Sequence, residues 1–104
     1  MIKPNFEALA IDEKTLEAVS AIVDKTRLQI VFFLKLNGRV CVNEIACNFK
    51  ISRPAISHHL KVLKNCEIIQ SEKVGQETYY FLQRHNLVKM LRNLADSIEG
   101  CCVE

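Results

Sequence analysis

Read for the spacing of its apolar positions, the chain resolves into a run of helices interrupted by one pair of strands. From Asp12 to Val23, Leu16, Val19, Ile22 and Val23 recur at helical spacing. Asp12 stands where its carboxylate can cap the first turn, so a first amphipathic helix is predicted. Asp24 offers the next cap. Thr26 to Leu36 is then apolar almost all round, through Leu28, Ile30, Val31, Phe32, Phe33, Leu34 and Leu36, which predicts a buried central helix ended by Asn37-Gly38. A short third helix is expected from about Val42 to Asn48, with Val42, Ile45 and Phe49 turned inward.

After a short link, Ser52-Arg53-Pro54 sets a cap ahead of a proline in the first turn and so opens a fourth helix, which runs to about Asn65. Its apolar stripe is Ile56, Leu60 and Leu63, while Arg53, Ser57, His58, Lys61 and Lys64 fall away from it. Two β-prone runs, Ile68 to Lys73 and Thr78 to Leu82, are joined through Val74-Gly75-Gln76-Glu77 and read as a hairpin. The last helix, from Asn86 to Glu99, carries Leu87, Val88, Met90, Leu91, Leu94, Ala95 and Ile98, and Gly100 stops it. That stripe is broader than one small core needs.

Composition narrows the class. At 104 residues the chain is the size of one domain, with little interior to spare for an enclosed catalytic cleft. Hydrophobic residues at 49% with only 3 glycines and 2 prolines describe a helix-rich globular chain, loose at residues 1–10 and 101–104. No apolar run approaches the ~18 residues of a membrane span, and the N-terminus lacks a secretory pattern, so a cytoplasmic protein is expected. An odd 5 cysteines in a chain able to fold unaided argue for reduced thiols rather than a disulfide framework. No Ser/His/Asp order, phosphate loop, HExxH or dinucleotide fingerprint is present, so no enzyme is indicated.

The formal net charge of +2 says little about partners, whereas its distribution says much. From Lys50 to Asn65 the charged residues are Lys50, Arg53, Lys61 and Lys64, with no Asp or Glu among them. Two helices joined by a tight turn, the second with a basic and hydroxyl-bearing face, form a helix-turn-helix, and the hairpin that follows is a wing. The fold class is therefore mainly α with a β-hairpin wing, a winged helix-turn-helix expected to bind double-stranded DNA. Arg53 has the planar fork for a guanine edge, and Ser57 and His58 stand one turn on. Lys61 and Lys64 are better placed for phosphates. Lys50 and Ser52 flank the helix start, and Lys73 and Gln76 lie on the wing. His58-His59 is no chelating pair, because helix neighbours point roughly 100° apart; His58 is expected to face DNA and His59 to be partly packed.

Three segments together resemble the ArsR/SmtB family of repressors: Asp24-Lys25-Thr26-Arg27-Leu28; Ser52-Arg53-Pro54-Ala55-Ile56-Ser57-His58-His59-Leu60-Lys61-Val62-Leu63-Lys64; and Gly75-Gln76-Glu77-Thr78-Tyr79-Tyr80. The resemblance spans nearly the whole chain. It implies a homodimer paired through its first and last helices, with Leu16, Val19, Val23, Leu87, Met90, Leu91, Leu94 and Ile98 at the interface. It also implies recognition helices in successive major grooves of an inverted-repeat operator, and release when an effector binds. Two positions depart from the family pattern. Glu67 stands where glycine often follows the recognition helix, and Val40-Cys41-Val42-Asn43-Glu44 resembles the metal-binding Cys-Val-Cys box with Asn43 in place of its second cysteine.

The cysteines leave the effector open. Cys41 precedes the third helix with Glu44 three residues on, as in a capping box; a thiol there is either a reactive or metal-binding thiolate or a tolerated poor cap. Cys47 lies roughly 240° further round and cannot complete a site with it. Cys66 reads as a small buried hydrophobe. Cys101-Cys102 suits a thiophilic ion such as As(III), Cd(II) or Zn(II) better than a mutual disulfide, with Cys41 or another thiol as third ligand; an unused tail is the alternative. Of the Asp and His residues that form a zinc site on the last helices of some relatives, only His85, Asp96 and Glu99 have counterparts here, and that site is expected to be absent. Two other functions remain, an effector-independent autorepressor and a winged-helix module that binds protein. Salt-dependent DNA affinity separates the second from a DNA binder.

Overall fold

The structure, a computed structural model, describes residues 11–100; the expected N-terminal arm and the tail with Cys101 and Cys102 lie outside the described residues. Three of the five helices begin where a side chain satisfies a free backbone N–H. Helix α1 (Glu13–Ile22) is capped by Asp12, whose carboxylate accepts from the Thr15 backbone N–H at 2.7 Å. Helix α2 (Lys25–Asn37) is capped by Asp24, which accepts from the Arg27 N–H at 3.0 Å. Strand β1 (Val40–Cys41) leads into α3 (Val42–Phe49), and α4 (Arg53–Asn65) starts at Ser52, whose hydroxyl accepts from the Ala55 N–H at 3.3 Å. Strands β2 (Ile69–Val74) and β3 (Glu77–Leu82) precede α5 (Arg84–Glu99).

The hairpin is tighter than its sequence suggested. Val74 pairs with Glu77, leaving only Gly75 and Gln76 in the turn, and Gly75 adopts φ 63° while Gln76 does not go positive. Glycine first is the pattern of a type II′ turn, whose twist matches the strands it joins. The two-residue β1 was not foreseen. It pairs antiparallel with β3, Val40 opposite Tyr80 and Cys41 opposite Tyr79, giving the sheet order β1-β3-β2. Its pairing ties the start of α3 to the base of the wing.

The core lies where α2, α3 and α4 meet the sheet, with Ile30, Leu34, Ile45, Ile56, Leu60, Leu63, Ile68 and Ile69 withdrawn from solvent. The expectation that α2 is buried on all sides is corrected: it buries Ile30, Val31 and Leu34 but leaves Leu28, Phe32 and Leu36 exposed. A chain this small has elements enough to cover one side of α2, not both. Helix α4 ends in a Schellman arrangement, with the Ile68 N–H donating to the Leu63 carbonyl and the Glu67 N–H to that of Lys64. Glu67 therefore sits at φ 60°, in the left-handed region, which explains why glycine suits this position. Among the described residues no helix is long and apolar enough to cross a membrane.

Candidate nucleic-acid interface

Helix α4 turns Ile56, Leu60 and Leu63 into the core, so helical geometry sends Arg53, Ser57, His58, Lys61 and Lys64 outward, and all five are exposed. Lys50 caps the C-terminus of α3 at φ 54°, exposed beside the turn into α4, and Ser52 is exposed at the start of α4. Lys73 and Gln76 are exposed on the wing. Two of the cations are not free. Arg53 donates through Nη1 to Asn43 Oδ1 of α3 at 2.6 Å, and Lys64 Nζ donates to Ser71 Oγ of β2 at 2.7 Å.

His59 is the inward neighbour of His58. Its Nδ1 lies 3.2 Å from Arg27 Nη1, and Arg27 Nε donates to the Ala21 carbonyl at 2.6 Å, so one guanidinium links α1, α2 and α4. Because Arg27 can only donate, Nδ1 must accept and the ring is neutral there. Burial holds the His59 pKa below its ordinary value, with Arg27 and His58 adding to the shift and Asp24 opposing it.

Two further residues belong to this surface without having announced themselves in the sequence. Arg39 pairs with Glu72 of β2 at 2.6 Å and lies over the Phe81 ring, 4.4 Å from its centroid, bracing the wing against the end of α2. Asn43, which stands in place of the second cysteine of the Cys-Val-Cys box, is the partner of Arg53. No local pattern signals either contact, since each joins separate elements.

The three described cysteines, Cys41, Cys47 and Cys66, do not converge. Cys41 takes the N-cap position of α3 but makes no bond to the helix backbone; its buried thiol donates to Glu44 Oε1 at 3.3 Å. Cys47 is exposed, and half-buried Cys66 directs its thiol at the Glu17 carbonyl, 3.6 Å away. Burial, with Glu17 nearby, pushes the Cys66 thiol pKa up. Among the described residues no three His, Cys, Asp or Glu side chains gather closely enough to hold a metal ion.

Along α1 and α5, which pack against each other, Leu16, Val23, Leu91 and Ile98 are exposed while Val19, Met90 and Leu94 are half-buried. Val23 is 75% and Ile98 73% exposed. Leu87 is corrected: at 8% exposure it belongs to the core of the single chain, where the first turn of α5 meets it, and has little surface left to offer a second.

A family model described as "Bacterial regulatory protein, arsR family" matches residues 24–71, from the Asp24 cap through α4 into β2. An uncharacterized HTH-type transcriptional regulator of Methanocaldococcus jannaschii is 37% identical over 86 residues, which cover 83% of this chain and 96% of the relative. The chain belongs to the ArsR family. The arsenical resistance operon repressor of Bacillus subtilis is 31% identical over 83 residues, covering 80% of this chain and 74% of that one. The crystal structure of a possible transcriptional regulator for arsenical resistance superposes with a TM-score of 0.71 at 34% identity, covering 79% of this chain and 83% of its own. As an ArsR-family member the protein is a DNA-binding transcriptional regulator of winged helix-turn-helix fold and not an enzyme.

Proposed function

We propose that this ArsR-family regulator is a repressor that binds an inverted-repeat operator as a homodimer, placing one α4 in each of two successive major grooves. The observation that carries this reading is the acid-free outer face of α4, presented by a fully withdrawn inner face. A major groove about 12 Å wide admits a helix, and the residues at its N-terminal end reach base edges first. Arg53 then reads a base, Ser57 and His58 contact the next step, and Lys50, Lys61, Lys64 and Lys73 neutralise phosphates. Ser52 and Gln76 supply neutral donors at the two rims. The exposed apolar residues of α1 and α5 cover one another across the two-fold axis.

Binding of a labelled duplex across a potassium chloride series tests this. Four phosphate-neutralising lysines per subunit give eight per dimer, and the slope of log affinity against log salt is expected near −7, from about −0.9 per phosphate. Affinity indifferent to salt would point instead to a winged-helix module that binds protein.

Operator release by a thiophilic ion, As(III), Cd(II) or Zn(II), or by a thiol-reactive signal is the second part of the proposal. The described residues alone do not form such a site: Cys41 offers one sulfur, already engaged by Glu44, and Cys101 and Cys102 would have to supply the others. Support comes from the position of Cys41, which opens the first helix of the helix-turn-helix, and from the relative named for arsenical resistance. Titrating each ion against the operator complex decides the matter, since no release with any of them leaves an effector-independent repressor.

A further inference from the structure

We propose that Asn43 is a positioning residue for DNA reading: its amide oxygen holds the Arg53 guanidinium in the orientation from which it addresses a base edge. The inference rests on the proposal that Arg53 reads DNA, and adds to it a residue on the other helix of the motif.

An arginine side chain in solution samples many rotamers, and fixing it on a ligand loses that freedom. The bond to Asn43 restricts the Arg53 side chain before DNA is met. Asn43 lies in the first turn of α3 and Arg53 opens α4, so the contact spans the helix-turn-helix at the end of α4 that enters the groove. The 2.6 Å separation is that of a short charge-assisted hydrogen bond. Both residues are exposed, so the bond does not serve the core. It is also economical in donors. A guanidinium carries five N–H groups, and one given to Asn43 through Nη1 leaves the remaining fork for the O6 and N7 acceptors of a guanine. The asparagine oxygen has no charge to repel a phosphate, unlike the carboxylate of an Asp at the same place.

The test uses the full chain and a duplex consensus selected by the wild-type protein from a random pool. Affinity is measured for that consensus, for single-base variants of it and for an unrelated duplex. Asn43→Ala is expected to weaken consensus binding by about 2- to 12-fold, the ordering cost of one long side chain, and to flatten preference at the base pair that Arg53→Ala also flattens. Its affinity for the unrelated duplex should stay the same. Asn43→Gln, which restores an amide oxygen, should recover part of the loss, and Asn43→Ala added to Arg53→Ala should cost nothing more.

If Asn43→Ala matches wild type on the consensus while Arg53→Ala does not, the positioning role falls and the DNA reading stands. Tighter binding by Asn43→Ala would also overturn it, because Asn43 would then be sequestering Arg53. A wild-type chain that selects no consensus removes both proposals together.

Discussion

Glu67 offers a sharp test of how the recognition helix is terminated. It occupies the left-handed position of the Schellman turn at φ 60°, a conformation that costs an L-residue with a side chain roughly 1–2 kcal/mol. Its carboxylate meets Lys14 Nζ at 2.9 Å, and its carbonyl accepts from Asn86 Nδ2 at 3.1 Å. Replacing Glu67 by alanine or by glycine deletes the same ion pair and leaves the same carbonyl, so the two variants differ only in backbone preference. Glycine relieves the left-handed strain but loses about 0.5–1 kcal/mol through its freer unfolded chain. With each range taken near its centre, Glu67→Gly is expected to be more stable than Glu67→Ala by about 0.5–1 kcal/mol. For a domain of this size that is a Tm higher by about 2–8 °C. Thermal and urea denaturation followed by circular dichroism at one fixed protein concentration measure it, the concentration held fixed because the proposed dimer would make Tm depend on it. A glycine variant no more stable than the alanine one would refute the assignment of strain to this residue.

Two other perturbations bear on the site and its frame. Arg53→Ala is expected to cost about 1–3 kcal/mol of operator affinity and relax preference at one base pair, whereas Lys64→Ala should weaken all duplexes alike and lower the salt slope by about 1. Equal and negligible effects in a gel-shift series would remove α4 from the groove. His59 predicts a pH dependence of stability. Its folded pKa lies below the unfolded value of about 6.5, so as the pH falls the unfolded chain takes up the proton first. The stabilisation from the neutral ring is complete above that pH and drains away below it as the pH approaches the folded value. The caps Asp12 and Asp24 have carboxyl pKa values already lowered, Asp12 chiefly by its hydrogen bonds from Thr15 and Asp24 by the Arg27 N–H, so they titrate further into acid. Wild type should therefore lose stability more steeply than His59→Asn as the pH falls below about 6.5, as read from urea midpoints; parallel curves would show that the Arg27 contact does not depend on a neutral ring.

What the sequence by itself determined are the features set within a few residues. Asp12, Asp24 and Ser52 each cap a helix through an N–H three residues on, so their positions are written locally and the observed helices start where those caps stand. The outward face of α4 was legible for the same reason, because the period of a helix fixes which side chains leave the side opposite Ile56, Leu60 and Leu63. Only the tertiary structure decided the rest. A two-residue strand such as β1 has no pattern of its own and exists because β3 lies beside it. An apolar stripe does not say what will cover it, which is why Leu87 was drawn into the core while Leu28, Phe32 and Leu36 were left outside. The tethers of Arg53 to Asn43, Lys64 to Ser71 and Arg27 to His59 join residues on different elements. Such contacts depend on where packing brings two helices or a helix and a strand, and no spacing along the chain encodes that distance.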